Sequence, residues 1–523
     1  MAKKIKTNKN VTFPLEMMPI VNEKLQLFKL GEYFMPPTDF IFEAAKNIAP
    51  NARFEAGDAL DSFIEGDRLV AFINRKTGES QIFPALENLQ PGTDLASSAN
   101  EFAQRMLTEN RLFPDDGTKA VAMPAVVLNG AMHDQTSTDR MMEAEYLAYV
   151  RFERQVNEFP VYGSGTAAMI GIDANNTIHA ISHCWKTAIQ TDQFVAPKPI
   201  EESYNEIFKE LIPLAKIGMV NVDNVKVVYY DGGGDFLQPC YRYEATVRKF
   251  LTRQIPQDLP SNMHKFGFVP IDILFEPIHK IIEIFKPNRT KKTGGIDINA
   301  GIPVGRYVVR NDHPGWVNSA NNFWNNLIAG GRNFINSQYY WAEPRLFTNQ
   351  KDSFVNNVSI ALNEVHGNWW LFSTKGNSQD LVSLSDIPTS GFTHLAFWIL
   401  HSCEIVPTQT DENNSFDIWW NLFKGLHAVV GYRTEMWIED GVTGPFGRAI
   451  GLGAPVVSAW MNAVVTNSNY GANDATYFDG NRNMTEPMGR ASSVSVAGHT
   501  DDTAMNVVPL APANQLYEWW FNN

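Results

Sequence analysis

Two apolar runs decide the fold expected for this chain. Residues 358–367 read VSIALNEVHG, and residues 395–404 read LAFWILHSCE. Apolar runs of this length, bounded by glycine and polar residues, are typical of strands buried on both faces of a parallel sheet. The residues between them, 369–392, are numerous enough for a crossover connection. Parallel neighbours end at one sheet edge, where open α/β sheets bind ligands, so His366 and Cys403 should meet there.

The sequence beyond residue 300 alternates strand and helix signals around these runs. Residues 307–310 and 427–432 are predicted strands, and residues 318–328 are a predicted helix. A second helical pattern, 446–465, is interrupted by glycine and proline. The alternation predicts an α/β domain over residues 301–523, with the architecture of a three-layer sandwich and a mainly parallel sheet.

The sequence before residue 301 mixes helix, strand and hairpin signals. We predict an α+β module over residues 1–140 and a second α+β module over 141–252. Residues 253–300 are predicted to link the two halves of the chain. The basic, glycine-containing run 286–295 within this linker has little to bury, and it would be a good site for proteolytic nicking.

Length, composition and charge restrict the class of protein. A chain of 523 residues, 44% hydrophobic and 19% charged, is expected to fold as a soluble protein of two or three domains. Its net charge of −14 argues against nucleic acid or an anionic membrane as the main partner. Repulsion between like charges would oppose both associations.

Targeting and redox signals predict a cytoplasmic protein. The basic start, MAKKIK, is followed by polar residues where a signal peptide needs an apolar core. We find no run of about 18 apolar residues, so no transmembrane segment is expected. The three cysteines, Cys184, Cys240 and Cys403, are too few for a disulfide framework and leave at least one thiol free.

The pair of apolar runs resembles the catalytic signature of the clan CD cysteine peptidases, which have the caspase-hemoglobinase fold. In that signature one strand ends in His-Gly and another ends in a small residue followed by Cys, matched here by His366-Gly367 and Ser402-Cys403. The likeness covers about residues 305–465 and extends to an uncharacterised group of bacterial proteins with the same pair. It implies a caspase-like fold and a His/Cys catalytic dyad.

The chemistry of the three matched residues is consistent with this expectation. A Cys403 thiolate would attack a carbonyl carbon, and His366 would protonate the leaving amine. The backbone N–H of Gly367 is the expected oxyanion donor. The structural alternative is that Cys403 is a buried strand-end thiol and that His366 is a satisfied core histidine.

Other side chains near the runs are candidates for catalytic or binding roles. His401 shares the face of Cys403 on one strand, but its expected depth in the sheet favours a structural role. His394 precedes the strand and is expected at the opposite edge. Glu404, Trp369 and Asp411 are the residues that we predict to line the substrate cleft, although tryptophans at such positions are more often core residues.

The module over 141–252 resembles the propeptide modules that precede thermolysin-like and related secreted peptidases. The likeness rests on the segment EFPVYG at 158–163 and on the hairpin turn at 173–176. It implies that the N-terminal half covers or supports the site in the C-terminal half. If it covers the site, a nick near Arg289 to Lys292 should raise activity; if the halves share a permanent interface, a nick should change nothing.

These observations lead to one preferred function and two alternatives. The preferred function is a cysteine-dependent peptidase that acts on a peptide or protein substrate. The alternatives are an acyltransferase or peptide cyclase with the same dyad, and a catalytically inactive protein that binds a peptide or partner. We predict no cofactor and no metal site, and the sequence does not determine the oligomeric state.

Overall fold

The computed structural model describes eleven stretches of the chain. They are residues 7–137, 143–163, 165–249, 262–272, 301–310, 313–375, 380–411, 416–438, 440–468, 476–478 and 484–522. Over these stretches the chain is a mixed α/β protein with a large, mostly antiparallel sheet, a segment of parallel strands and few helices. Among the helices of these stretches, none combines the length and the apolar character needed to cross a membrane.

The elements are numbered along the chain. The strands of the N-terminal half are β1 (Val11–Thr12), β2 (Leu25–Phe34), β3 (Arg53–Glu55), β4 (Leu60–Glu65), β5 (Arg68–Asn74), β6 (Ser80–Ile82), β7 (Lys119–Ala122), β8 (Val126–Asp134), β9 (Ala144–Val156), β10 (Phe159–Gly163), β11 (Thr166–Ile172), β12 (Ile178–Val195), β13 (Gly218–Asp231), β14 (Phe236–Lys249) and β15 (Asn262–Pro270). The strands of the C-terminal half are β16 (Ile302–Val308), β17 (Phe334–Trp341), β18 (Ile360–Glu364), β19 (His366–Asn368), β20 (Leu371–Ser373), β21 (Leu381–Ser383), β22 (Phe397–His401), β23 (Ala428–Tyr432), β24 (Thr476–Phe478), β25 (Met484–Pro487), β26 (Ala491–Val496) and β27 (Gln515–Phe521). The helices are α1 (Thr38–Ile48), α2 (Leu95–Thr108), α3 (Ile200–Leu211), α4 (Pro314–Ala329), α5 (Asp417–Leu422), α6 (Thr443–Leu452) and α7 (Val456–Asn467).

Five strands of the C-terminal half form the parallel segment. They lie in the order β17, β16, β18, β22 and β23, and each pairs in parallel with the next. Every residue of β16, β18, β22 and β23 is buried, as the continuous apolar runs predict. The strand order reverses between β16 and β18, and such a switch point opens a crevice at the carboxyl ends of the strands.

The two faces of the parallel strands are covered differently. Helices α4 and α7 lie on one face, where Trp316 and Trp460 both contact the His401 ring. On the other face, Trp398 contacts Phe372 of β20 and Phe392, which precedes β22. In its described part, the crossover predicted over residues 369–392 therefore contains β20 and β21, which form a small sheet with β19, rather than a long helix. The α/β class is confirmed at this coarse level.

Helix α7 is buried around its circumference because it lies between the two halves of the chain. It packs on β23 and β26 on one side and on β11 and β12 on the other. The Ser458 hydroxyl donates to the Pro84 carbonyl at 2.8 Å, and the Asn462 amide donates to the Ile82 carbonyl at 2.9 Å. These bonds satisfy polar groups inside an otherwise apolar interface.

The sheet also runs continuously from one half to the other. Strand β27 pairs antiparallel with both β26 and β8, and β8 pairs with β9 across the predicted boundary at residue 140. Strand β15, within the predicted linker, pairs with β14. The rest of that linker, 253–261 and 273–300, lies outside the described residues, including the proposed nick site. The division into domains stays a prediction.

Candidate functional site

His366 and Cys403 follow two adjacent central strands. In the parallel pair of β18 and β22, Glu364 is level with His401, and each precedes its candidate catalytic residue by two positions. Both strands have further parallel neighbours, β16 and β23. The two candidate residues therefore lie at the same edge of the sheet. Their side chains are nearly closed to solvent, with 6% of His366 and 8% of Cys403 exposed.

The His366 ring is held between a hairpin and the start of a helix. His366 opens β19, which pairs antiparallel with β20. Its ring lies edge-to-face with the Trp316 ring, with the ring centroids 5.1 Å apart. Trp316 belongs to the first turn of α4, which His313 caps by accepting a hydrogen bond from the Gly315 N–H at 3.0 Å. The buried indole Nε1 of Trp316 has no hydrogen-bond partner within the described part of the chain.

The Cys403 thiol contacts the backbone of a loop that follows β23. Its Sγ accepts a hydrogen bond from the Met436 N–H at 3.4 Å, and it lies 3.9 Å from the Met436 carbonyl oxygen. The next residue, Glu404, has a φ of 49° and donates its N–H to the Thr434 carbonyl at 3.0 Å. A left-handed conformation at a non-glycine residue costs about 1–3 kcal/mol, and such residues cluster at functional sites.

Gly367 allows the segment that follows β18 and the segment that follows β22 to approach each other closely. A Cβ at this position would lie 2.2 Å from the Ser402 Oγ and 2.6 Å from the Cys403 carbonyl oxygen. No side chain fits at position 367 unless residues 402–403, which follow β22, move. The space beside Gly367 is thus filled by residues 402–403, so the glycine brings together the backbones that carry His366 and Cys403.

A fully buried ionic network lies directly behind the two candidate residues, and the sequence analysis missed it. The Nδ1 of His401 lies 2.6 Å from a Glu364 carboxylate oxygen, and its Nε2 lies 3.1 Å from an Asp440 oxygen. The Ser319 hydroxyl donates to Glu364 at 2.7 Å, and the Tyr432 hydroxyl donates to Asp440 at 2.5 Å. Each charged group is therefore both paired and hydrogen-bonded, as buried charges must be.

The network changes the protonation of its members. Burial by itself would lower the pKa of His401, but the Glu364 and Asp440 carboxylates outweigh burial and raise this pKa to about 10. Burial raises the pKa of Glu364, and the charge of His401 opposes that rise. The imidazole is therefore cationic at neutral pH. His401 lies deep in the sheet, as expected, and its structural role stays a prediction.

The predicted cleft residues and His394 lie in several places. Trp369 is half-buried in the turn between β19 and β20. Glu404 directly follows Cys403 and is buried. Asp411 forms an ion pair with Arg433, with Nη2 and Oδ1 2.6 Å apart. The backbone N–H of His394 donates to the Asn356 Oδ1 at 3.0 Å near the start of β22, at the edge opposite Cys403, as expected.

The last strand of the N-terminal half covers the loop that contacts Cys403. Within β15, the Nε2 of His264 lies 2.7 Å from a Glu435 carboxylate oxygen. The Ile438 N–H donates to the His264 carbonyl at 3.2 Å, and the rings of Phe266 and Trp437 lie edge-to-face, 5.9 Å apart. Residues 435–438 are thus held from both sides, by β15 and by the Cys403 thiol.

A cavity of about 490 Å³ lies between the two halves of the chain. Its lining includes Asp440, Phe266 and Phe268. An ion pair between Arg448 and Glu79, with 2.5 Å between Nη1 and Oε2, joins a lining residue of each half of the chain. Asp440 of the buried network and Phe266 of β15 therefore both line the cavity.

Comparisons with known proteins give a family of unknown function and a solved structure of an uncharacterized protein. The family described as Domain of unknown function (DUF6345) matches residues 304–491, a span that contains both His366 and Cys403. An uncharacterized protein from Eubacterium rectale ATCC 33656, known from a crystal structure, is similar over 48% of this chain and 84% of its own. Its sequence is 10% identical and the TM-score is 0.28, so this likeness supports no argument about fold or function. No curated protein matches the chain.

Proposed function

We propose that this chain is a cysteine-dependent peptidase in which Cys403 is the nucleophile and His366 is the general acid and base. One observation carries the proposal. The parallel register of β18 and β22 makes Glu364 level with His401. His366 and Cys403 therefore each lie two positions beyond the end of their strand. A nucleophile and a base from neighbouring strand ends are the components of thiol-dependent acyl transfer.

The reaction assigns a role to each of the three residues. His366 removes the proton of the Cys403 thiol, the sulfur forms a bond to the substrate carbonyl carbon, and His366 gives that proton to the amine as the peptide C–N bond breaks. Water, deprotonated by His366, then displaces the thiolate from the acyl-enzyme. Strands β19 and β20 are joined by a two-residue turn. In such a hairpin the residue pair beside the turn is hydrogen-bonded, and the following pair, which contains Gly367, is not. The Gly367 N–H is therefore directed away from β20. It is the proposed oxyanion donor.

The buried network acts as a support in this proposal. His401, held by two carboxylates, fixes the ends of β18 and β22 relative to each other and to Asp440. A candidate dyad on two strand ends requires such rigidity, because a displacement of about 1 Å can lower the rate about 100-fold. Glu364 and His401 are positioning residues in this proposal, because they act through the strand ends that carry His366 and Cys403.

The finer fold assignment, a caspase-like sandwich of clan CD type, belongs to the same proposal. Three features support it: the parallel strand order, the helices α4 and α7 on one face, and the switch point beside β18. The second face bears short elements instead of long helices in the described part of the chain. The sequence pair His-Gly and Ser-Cys stands at the expected strand ends.

The proposed substrate is a peptide, and the N-terminal half both supports and covers the site. The shared sheet at β8 and β27 and the packing of α7 are the support. The contact of β15 with residues 435–438 is the cover, because those residues touch the Cys403 thiol. The adjoining cavity, lined by Phe266, Phe268 and Arg448, is the proposed binding space for a substrate side chain.

Two further functions would use the same residues. An acyltransferase or cyclase would pass the acyl group from Cys403 to an amine instead of water, and product analysis distinguishes it from a peptidase. An inactive protein that binds a peptide or partner is favoured by the low exposure of His366 and Cys403, 6% and 8%. The reactivity of the Cys403 thiol distinguishes this inactive alternative from the peptidase and from the acyltransferase or cyclase.

Alkylation of the native protein with a small iodoacetamide, read site by site by mass spectrometry, tests the proposal. We expect Cys403 to react faster than Cys240, whose pKa burial raises well above that of an ordinary thiol. We also expect His366→Ala to slow alkylation of Cys403, and His394→Ala to leave it unchanged. A Cys403 that reacts no faster than Cys240, or at the same rate in His366→Ala, would contradict the proposal.

A further inference from the structure

We propose that His427, His499 and Asp502 form a binding site for a divalent transition metal ion of the zinc class. The site lies at the edge of the parallel sheet opposite Cys403. His427 directly precedes β23, and the other two residues belong to the loop that follows β26. Within the described stretches, one ligand atom from each of the three side chains lies within 4.8 Å of the other two.

The hydrogen bonds of His427 direct a lone pair into this cluster. Its Nε2 lies 2.8 Å from the Val508 carbonyl oxygen, and a carbonyl oxygen only accepts, so Nε2 carries a hydrogen. The neutral ring then has its lone pair on Nδ1, which lies 2.6 Å from the Asp502 Oδ2. Two acceptors at this distance repel each other unless a proton or a metal cation lies between them. A backbone carbonyl that fixes the tautomer is typical of metal-binding histidines.

His499 supplies a second nitrogen to the same carboxylate oxygen. Its Nδ1 lies 2.8 Å from the Asp502 Oδ2, and the rings of His427 and His499 lie edge-to-face with centroids 5.6 Å apart. Ligand distances of about 2.0–2.2 Å in a tetrahedral site separate ligand atoms by about 3.3 Å. The two contacts therefore need to open by about 0.5–0.7 Å on metal binding. Such a change is small for His499 and Asp502, whose side chains are 38% and 20% exposed.

The backbone holds the three residues in place before any ion binds. The His499 N–H donates to the Val496 carbonyl at 2.9 Å, and the Val496 N–H donates to the His427 carbonyl at 2.9 Å. The Asp502 carbonyl accepts from the Val456 N–H at 3.0 Å. On the far side of the loop, the Asp501 carboxylate accepts the Leu86 N–H at 2.8 Å, which directs it away from the cluster.

The ligand set selects the class of ion. Two imidazole nitrogens and one carboxylate oxygen suit Zn²⁺ and its transition-metal neighbours, whereas Mg²⁺ and Ca²⁺ prefer oxygen ligands alone. The partial exposure of His499 and Asp502 gives water or another small ligand access to a fourth position. A bound ion would tie the start of β23 to the loop after β26. This inference does not depend on the proposed function.

The test is isothermal titration of zinc chloride into the full chain after removal of metals with a chelator, with magnesium chloride as the second titrant. We expect one zinc ion per chain and no response to magnesium. His499→Ala and Asp502→Asn should each weaken zinc binding about tenfold or more. His394→Ala removes a different histidine near the same edge and should bind zinc as the parent chain does.

Thermal unfolding with and without zinc gives a second readout that also reports whether each variant is folded. Zinc should raise the unfolding midpoint of the parent chain and of His394→Ala, and it should leave His499→Ala and Asp502→Asn unchanged. The proposal is overturned if the parent chain binds no zinc. It is also overturned if a folded His499→Ala or Asp502→Asn binds zinc as tightly as the parent chain, because the ion would then occupy another site.

Discussion

Glu364 and His401 are the last paired residues of two adjacent parallel strands, and their side chains form an ion pair with 2.6 Å between Oε2 and Nδ1. The pair is fully buried, and Asp440 contacts the other nitrogen of the same imidazole. The two residues therefore set the register of the strands that deliver His366 and Cys403. The relative positions of His366 and Cys403 depend on this register more than on any single contact of either side chain.

The first prediction concerns the stability of this network. His401→Gln should lower the free energy of unfolding by about 3–5 kcal/mol, because it leaves buried carboxylates without their cation. The double variant Glu364→Gln/His401→Gln should lose less than the sum of the two single changes, since the residues interact directly. Urea unfolding of the four chains measures both quantities. Strict additivity would show that the pair contributes no coupling.

The second prediction concerns pH. The pKa of His401 is raised to about 10 in the folded chain, against about 6.5 in an unfolded chain. The stability from its charge is therefore fully present below pH 6.5 and is lost as the pH rises through about 10. As the pH rises from 6.5 to about 10, the free energy of unfolding should fall more in the parent chain than in Glu364→Gln/His401→Gln. Parallel pH profiles of the two chains would contradict the assignment.

The third prediction concerns Gly367. Gly367→Ala would place a Cβ 2.2 Å from the Ser402 Oγ, so the extension that carries Cys403 must move. We expect a loss of about 1–3 kcal/mol of stability and a larger loss of Cys403 reactivity. Gly444→Ala is the matched control, because its nearest atom would be 3.3 Å away. Equal alkylation rates of Cys403 in Gly367→Ala and the parent chain would contradict this account.

The fourth prediction concerns the N-terminal cover. Glu435→Gln weakens the contact with His264, so the alkylation rate of Cys403 should rise several-fold. Cleavage near Arg289 to Lys292 should raise the same rate by relaxing this cover. The halves should still co-elute, because the β8–β27 pairing and the packing of α7 remain. No change in rate after complete cleavage would leave the N-terminal half as a permanent support only.

Much of the parallel segment could be predicted because its signals are local. The runs at 358–365 and 395–402 are strands over 360–364 and 397–401. The interrupted pattern at 446–465 is two helices, with Gly453 in a left-handed conformation between them. Pairings between distant segments could not be predicted: the bond from Gln515 to Asp134 joins residues 381 positions apart. No local pattern specifies which distant strand completes a sheet.

The site was partly predictable for the same reason. The positions of His366 and Cys403 follow from the ends of two recognisable strands. Glu364 could have been found as well, because strand alternation and equal spacing make it level with His401. Asp440 and the loop 435–438 could not, since their contacts depend on how the chain folds after β23. Asp411 looked available for a cleft, but it forms an ion pair with Arg433.

The central claim is that Cys403 and His366 carry out one reaction, and turnover of a peptide library by matched variants tests it most directly. The parent chain, preferably after cleavage near Arg289 to Lys292, should release peptide products. Cys403→Ala and His366→Ala should each abolish release, because the two residues act as one unit. His394→Ala should retain activity, and all three variants should unfold cooperatively as the parent chain does. Full activity in Cys403→Ala would contradict the account.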